Sequence, residues 1–359
     1  MISQAQSAGE PLPVPSAPHG YVPELDGLRA LSAFAVLLCH TDLSPNAGLG
    51  VDVFFVISGY LITSILARAR DAGRPLRYWT FQASRIVRLG PALFTVLATY
   101  LAFVLVVKHG AARSVALLNI LAAATYTMNW VRAFNLFQDQ AMSHTWSLGI
   151  ELQFYLIWPF AVVLLGALKP QHPERWLLGL AAADMAWRLA LAASGASVSR
   201  IYNGLDTHFD GLLLGAAIAV APRPAAGGSV AARTWWIPAL LLGVEMLLPP
   251  ATTPAPYAVQ MTGQSVLSAW LIIGVVRAQP AALRASWLVW LGTISYEIYL
   301  WHFPLIYEMR WHEHLPHIVE FAVLSVACVA LAAVTHKFVG EPLRITFKRR
   351  IARLALKPA

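Results

Sequence analysis

The sequence predicts an all-α polytopic membrane protein with about ten transmembrane helices. Three observations carry this: 58% of the 359 residues are hydrophobic, only 12% are charged, and apolar blocks recur down the chain with a mean hydropathy of +0.59. Soluble domains carry about 25% charged residues, so one large water-soluble helical core would lack a polar surface. A crossing helix needs roughly 20 mostly apolar residues.

Residues 1–22 contain no Lys, Arg or apolar run, so they do not read as a cleaved signal peptide. Pro11, Pro13, Pro15 and Pro18 mark a disordered cytoplasmic tail. Apolar blocks follow near 24–43, 50–67, 89–107, 113–129, 145–166, 175–194, 208–222, 234–248, 258–276, 287–306 and 318–336. Residues 23–345 thus read as one membrane domain, with a basic cytoplasmic tail at 346–359 and no further domain after it.

Block 113–129 is the ambiguous one, because Asn119, Thr125, Tyr126, Thr127 and Asn129 interrupt it. Cytoplasmic loops carry the excess of Lys and Arg, which decides the count. If the block does not cross and the amino terminus is inside, twenty basic residues face inward and five outward. If it crosses, the split is ten against fifteen. The charge rule therefore predicts ten spans, both termini cytoplasmic, and a re-entrant outer segment at 108–144.

The net charge of +8 is spread over short clusters between apolar blocks, a pattern for anionic lipid rather than nucleic acid. Cys39 and Cys328 are far apart and inside apolar blocks, giving no disulfide framework or thiolate metal site. His312, Glu313, His314 and His317 match no standard metal spacing, so no metal is expected.

Ionisable residues within spans mark functional candidates. With this orientation Arg29 lies near the inner end of the first span, and His40, eleven residues on, about 16 Å higher. Asp52, His144, Asp206, His208, Asp210 and His302 lie at outer helix ends, and Glu151 and Tyr155 one and two steps inward from His144. Arg85 and Arg88 share one helical face at the inner mouth of the third span, matched to phosphate oxygens; such a pair also serves as a plain positive anchor. Asp184 and Arg188, four apart, are expected to neutralise each other. Ser58 beside Gly59 reads as a small residue for close helix packing, with a covalent acyl carrier as the other reading.

Leu25-Asp26-Gly27-Leu28-Arg29-Ala30 with His40 on the same helix resembles the opening of the acyltransferase 3 family of membrane O-acyltransferases. Gly50-Val51-Asp52-Val53-Phe54-Phe55-Val56-Ile57-Ser58-Gly59-Tyr60 is similar to its second-helix signature, and Arg85-Ile86-Val87-Arg88 to its basic motif. His144-Thr145-Trp146-Ser147-Leu148-Gly149-Ile150-Glu151, Ser295-Tyr296-Glu297-Ile298-Tyr299-Leu300-Trp301-His302 and Glu341-Pro342 match further blocks in order. The resemblance implies a ten-helix core in the bacterial inner membrane. It also implies transfer of an acyl group, acetyl by default, from cytosolic acyl-CoA to a hydroxyl of a surface or lipid-linked carbohydrate, or of a small natural product.

Carried over by position, His40, Arg29 and Glu151 form the catalytic set, and Arg85 and Arg88 bind the donor. Asp52, Tyr155, His144, Tyr299 and His302 belong to the substrate chamber. His208 stands where the family pattern leads one to expect Arg, which puts acceptor binding there in doubt. Acyl-CoA is expected as a substrate, with no permanently bound cofactor; the oligomeric state stays open. A glycan or lipid transporter could use the same polar residues, but no internal repeat supports it. A partner that had lost its chemistry would not need the intact His40, Arg29, Arg85 and Arg88.

Overall fold

The computed structural model describes residues 21–138, 141–222, 230–309 and 315–355. Most of the 1–22 tail, the His312–His314 cluster and the last four residues lie outside them. Every regular element among the described residues is helical. In chain order these are α1 (Pro23–His40), α2 (Gly50–Asp71), α3 (Tyr78–Val107), α4 (Gly110–Ala124), α5 (Met128–Ala133), α6 (Trp146–Leu168), α7 (Pro173–Ala193) and α8 (Val198–Asn203). They continue with α9 (Asp210–Val220), α10 (Val230–Thr234), α11 (Trp236–Glu245), α12 (Pro254–Ala278), α13 (Ser286–Thr293), α14 (Ser295–Met309), α15 (His317–Thr335) and α16 (Glu341–Ala355).

Six helical stretches among the described residues are long and apolar enough to cross a membrane: 50–71, 78–107, 143–168, 173–193, 254–278 and 317–347. Their outward faces are apolar, with Val106, Phe160, Trp176 and Val326 each more than half exposed. Such a surface suits lipid rather than water.

Each apolar block meets a helix, and local chemistry sets the ends. Pro23 starts α1, where its missing N–H would be unpaired anyway. Asp42 (φ 55°) reverses the chain after α1, as Lys169 (φ 45°) does after α6 and Gln279 (φ 48°) after α12. The block at 287–306 is split into α13 and α14 at Ile294, and α16 runs through the predicted tail boundary at residue 346.

Helix directions follow from paired residues. α2 and α6 run the same way, since Ser58 meets Glu151 and Thr63 meets Trp158. α9 joins them, with His208 at Asp52 and Gly215 at Tyr60. α1 runs with α13 and α14 in turn, Asp26 facing Gly292 of α13 and His40 facing His302 of α14. α3 runs with α14, Leu89 facing Tyr296 and Tyr100 facing Glu308. α3 and α6 are opposed, so α4 and α5 between them bring the chain back to the end of the bundle where α3 finished. The tip of that segment meets α6 at Gln153, which donates to the Tyr126 carbonyl at 3.0 Å. Gln153 lies seven residues into α6, about 10 Å along the helix.

The tightest pair is α2 with α9. A Cβ on Gly59 would land on the Leu212 carbonyl oxygen, and one on Gly215 on the Val56 carbonyl oxygen. Two glycines thus let two backbones touch, the device that packs helices where water supplies no driving force. It is Gly59, not Ser58, that makes this approach.

Candidate active site

A cavity opens between α1, α2, α3, α6 and α14. Arg29, Arg85 and Arg88 line it together with Ser58, Glu151, Tyr155, Tyr296 and Tyr299. Six of the residues singled out from sequence therefore share one chamber: Arg29, Arg85, Arg88, Glu151, Tyr155 and Tyr299. Arg-x-x-Arg achieves this because three residues are nearly one turn of α3.

The arginines are held differently. Arg29 pairs with Asp26 at 3.3 Å. Among the described residues Arg85 meets the Ser84 hydroxyl, at 3.3 Å, and the Phe81 ring, at 5.5 Å. Neither Arg85 nor Arg88 has an acidic partner among the described residues. Three guanidiniums against the single carboxylate of Glu151 leave the cavity lining net positive, which suits an anionic ligand.

At mid-cavity, Ser58 Oγ and the Tyr155 hydroxyl both donate to the same Glu151 oxygen, Oε1. The Tyr155 hydroxyl also lies 3.3 Å from Ser58 Oγ. The sequence favours Ser58 as a packing residue; its signal lay in similar depth, since Ser58 sits about two turns and Glu151 about one and a half turns below the start of parallel helices. Tyr296 was missed as well. Its hydroxyl donates to the Leu89 carbonyl at 3.0 Å, tying α14 to the helix that carries the arginine pair.

His40 lies outside this lining. It forms a second group with His302 (ring centroids 5.1 Å apart) and Phe303 (4.9 Å), while His144 packs on His302 at 5.2 Å. His40 Nδ1 is 2.8 Å from the Val36 carbonyl. A carbonyl only accepts, so Nδ1 carries the proton and the neutral ring keeps its lone pair on Nε2. His302 Nδ1 likewise donates to the Tyr299 carbonyl, and His302 Nε2 is buried without a partner among the described residues.

Tyr299 stands between the two groups. It lines the cavity, and its ring lies 5.4 Å from that of His144 and 5.2 Å from that of His302. Its hydroxyl donates to the His144 carbonyl at 2.7 Å and shares a 2.8 Å contact with Ser147 Oγ. Glu151 makes no bond to His40, so it does not orient that ring.

Other candidates sit elsewhere. Asp52 is buried against His208, 3.0 Å away, and is not part of the cavity lining. Asp206 pairs with Arg200 at 2.6 Å. The expected Asp184–Arg188 neutralisation is replaced by a bidentate pair between Arg188 and Asp210, at 3.1 and 2.9 Å, while Asp184 accepts from the Asp210 backbone N–H. The reason is reach: Arg188 also donates to the Thr207 carbonyl and Thr262 hydroxyl, a set of acceptors on neighbouring helices that its own helix does not supply. Among the described residues no three His, Cys, Asp or Glu side chains converge as metal ligands.

The chain is similar to O-acetyltransferase OatA of Staphylococcus aureus strain NCTC 8325, 30% identical over 356 residues covering 90% of this chain and 57% of that one. It is 32% identical to peptidoglycan O-acetyltransferase OatA of Listeria monocytogenes, covering 90% of this chain and 56% of that one. It is 31% identical to putative peptidoglycan O-acetyltransferase YrhL of Bacillus subtilis, covering 93% and 57%. The chain thus spans little more than half the length of these relatives. No solved structure matches it. The acyltransferase 3 model, described as an acyltransferase domain, matches residues 22–337, nearly all of the helical bundle: the chain belongs to the acyltransferase 3 family.

Proposed function

We propose that the protein is an integral-membrane O-acyltransferase of the bacterial inner membrane. It takes an acetyl group from cytosolic acyl-CoA and delivers it to a carbohydrate hydroxyl, of peptidoglycan or a lipid-linked glycan, at the outer face. The observation that carries this is the pairing of Arg85 and Arg88, two cavity arginines without an acidic partner among the described residues, with a neutral-ring histidine one aromatic wall away. The relatives named above are O-acetyltransferases, two of them named for peptidoglycan.

The orientation proposed is ten crossings by α1, α2, α3, α6, α7, α9, α11, α12, α13 with α14, and α15, with both termini cytoplasmic and α4–α5 re-entrant. Supporting it are the charge asymmetry, the opposed directions of α3 and α6, and the return of the intervening chain to its starting end.

Arg85 and Arg88 hold the phosphates of the donor, and Arg29 assists. The thioester reaches past Tyr299 toward His40. His40 Nε2 takes the proton of the acceptor hydroxyl as its oxygen attacks the thioester carbonyl. The carbon–sulfur bond breaks, and the imidazolium returns that proton to the departing thiolate. His144, His302 and Tyr299 shape the acceptor side of the wall.

The test is thiol release from acetyl-CoA by purified protein in lipid nanodiscs with a peptidoglycan fragment as acceptor. His40→Ala should cut release by about a hundredfold or more while leaving folded yield and acetyl-CoA binding intact. Release unaffected by His40→Ala would overturn the mechanism. Absence of release by the wild-type protein with any glycan would return attention to small-molecule acceptors or transport.

A further inference from the structure

We infer that Glu151, Ser58 and Tyr155 form a clamp for the amide-bearing pantetheine arm of the donor, with Glu151 Oε2 accepting an arm amide N–H. This rests on the donor reading above and assigns a subsite within it.

Both hydrogen bonds that Glu151 makes fall on Oε1. The second oxygen has none among the described residues, although the residue lines the cavity. No direct ion pair joins Glu151 to Arg29, Arg85 or Arg88 among the described residues, although its charge reaches Arg29 and Arg85 within the same cavity. An oxygen left open to the chamber in this way accepts from whatever fills it, water in the empty chamber or an N–H of a bound chain.

Ser58 points to the same conclusion. A serine inside a helix ordinarily returns its hydroxyl proton to the carbonyl four residues back, as Ser32 does to Leu28 at 2.9 Å. Ser58 instead sends its proton across to α6. With Tyr155 it fixes the Glu151 rotamer and leaves Oε2 as a placed acceptor.

Position supplies the rest. Phe54, one turn from Ser58, lies against Tyr299 with ring centroids 6.4 Å apart, and Ser147, one turn from Glu151, bonds Tyr299. The clamp therefore sits one helical turn from the wall, in the chamber that holds the arginine pair. A ligand anchored by phosphates at Arg85 and Arg88 and reacting beyond Tyr299 must pass it as a linear chain. Pantetheine is such a chain, with two amide N–H donors.

The experiment compares two probes on purified protein in nanodiscs by calorimetry: CoA, and 3′-phospho-ADP, its nucleotide portion without the arm. Glu151→Gln should weaken CoA about tenfold or more, the worth of a hydrogen bond to a charged group, and leave 3′-phospho-ADP unchanged. Ser58→Ala, which frees the Glu151 rotamer, should show a smaller loss of the same kind. The unchanged nucleotide affinity also reports that each variant is folded. Equal losses for both probes, or no loss for CoA, would overturn the clamp. An effect confined to the KM of the glycan acceptor would assign Glu151 to the acceptor and overturn it too. If wild-type protein bound neither probe, the donor reading itself would fall.

Discussion

His208 Nε2 lies 3.0 Å from Asp52 Oδ1 while its Nδ1 lies 2.8 Å from the Tyr202 carbonyl. Both partners are acceptors, so two protons must be present: an imidazolium facing a carboxylate, or a neutral imidazole facing a carboxylic acid. The ring is fully buried, stacked on Trp146 with centroids 5.4 Å apart and packed edge-on against Phe55. The pair therefore ties the starts of α2, α6 and α9 together.

Removing one partner leaves the other buried and uncompensated. His208→Gln or Asp52→Leu should each destabilise the bundle by about 3–5 kcal/mol. The double substitution should cost clearly less than the two singles added, because they break the same contact. Melting of each variant in one detergent, arranged as a double-mutant cycle, reads this directly, and additivity would show that the pair contributes nothing.

Glycine positions give opposite expectations by location. Gly59→Val would drive a side chain into the Leu212 backbone and should abolish monodisperse protein in size-exclusion chromatography. A Cβ added to Gly179 on α7 would meet nothing within 4 Å. Gly179→Ala should leave the elution profile unchanged and raise the melting temperature slightly, since alanine favours a helix by about 1 kcal/mol over glycine.

The helices were legible because a membrane span announces itself by length and apolarity. Block 287–306 misled because a break at Ile294 changes neither property. Chamber membership was legible for Arg85 and Arg88, whose spacing places both on one helical face. It was not legible for Asp52, an acid near the start of its helix as Glu151 is, because its partner His208 is 156 residues away. Nor could the sequence separate Arg188–Asp210 from Asp184–Arg188: both pairs were chemically sound, and only the tertiary fold puts Thr207 and Thr262 around the guanidinium.

The Arg200–Asp206 contact makes a pH prediction. Burial favours the neutral acid, but the hydrogen bonds from Arg200 and Trp187 outweigh it and hold the Asp206 carboxyl below its ordinary value. A lowered folded value means stabilisation that is complete above the ordinary carboxylate range and lost as pH falls through the folded value. The carboxylate is more than a third exposed, so screening keeps the effect small. The melting difference between wild type and Asp206→Asn should be present at neutral pH and shrink in acid; a difference independent of pH would remove the electrostatic account.

Arg85 and His40 should separate kinetically. On the proposed reading Arg85, whose side chain meets the Ser84 hydroxyl and the Phe81 ring, holds the donor phosphates at a distance from the reacting carbonyl, so it would bind the donor equally before and during the reaction. Uniform binding of that kind lowers KM without raising kcat. Arg85→Ala should raise the KM for acetyl-CoA roughly ten- to hundredfold, as a lost charge-assisted bond does, with kcat within about threefold of wild type. Arg85→Lys should recover part of the KM because the charge remains while the planar fork does not. His40→Ala should do the reverse, lowering kcat by about a hundredfold or more with little change in KM. Steady-state kinetics of the three variants against acetyl-CoA checks the split; a collapse of kcat in Arg85→Ala with unchanged KM would move the guanidinium from the donor phosphates to the reacting thioester.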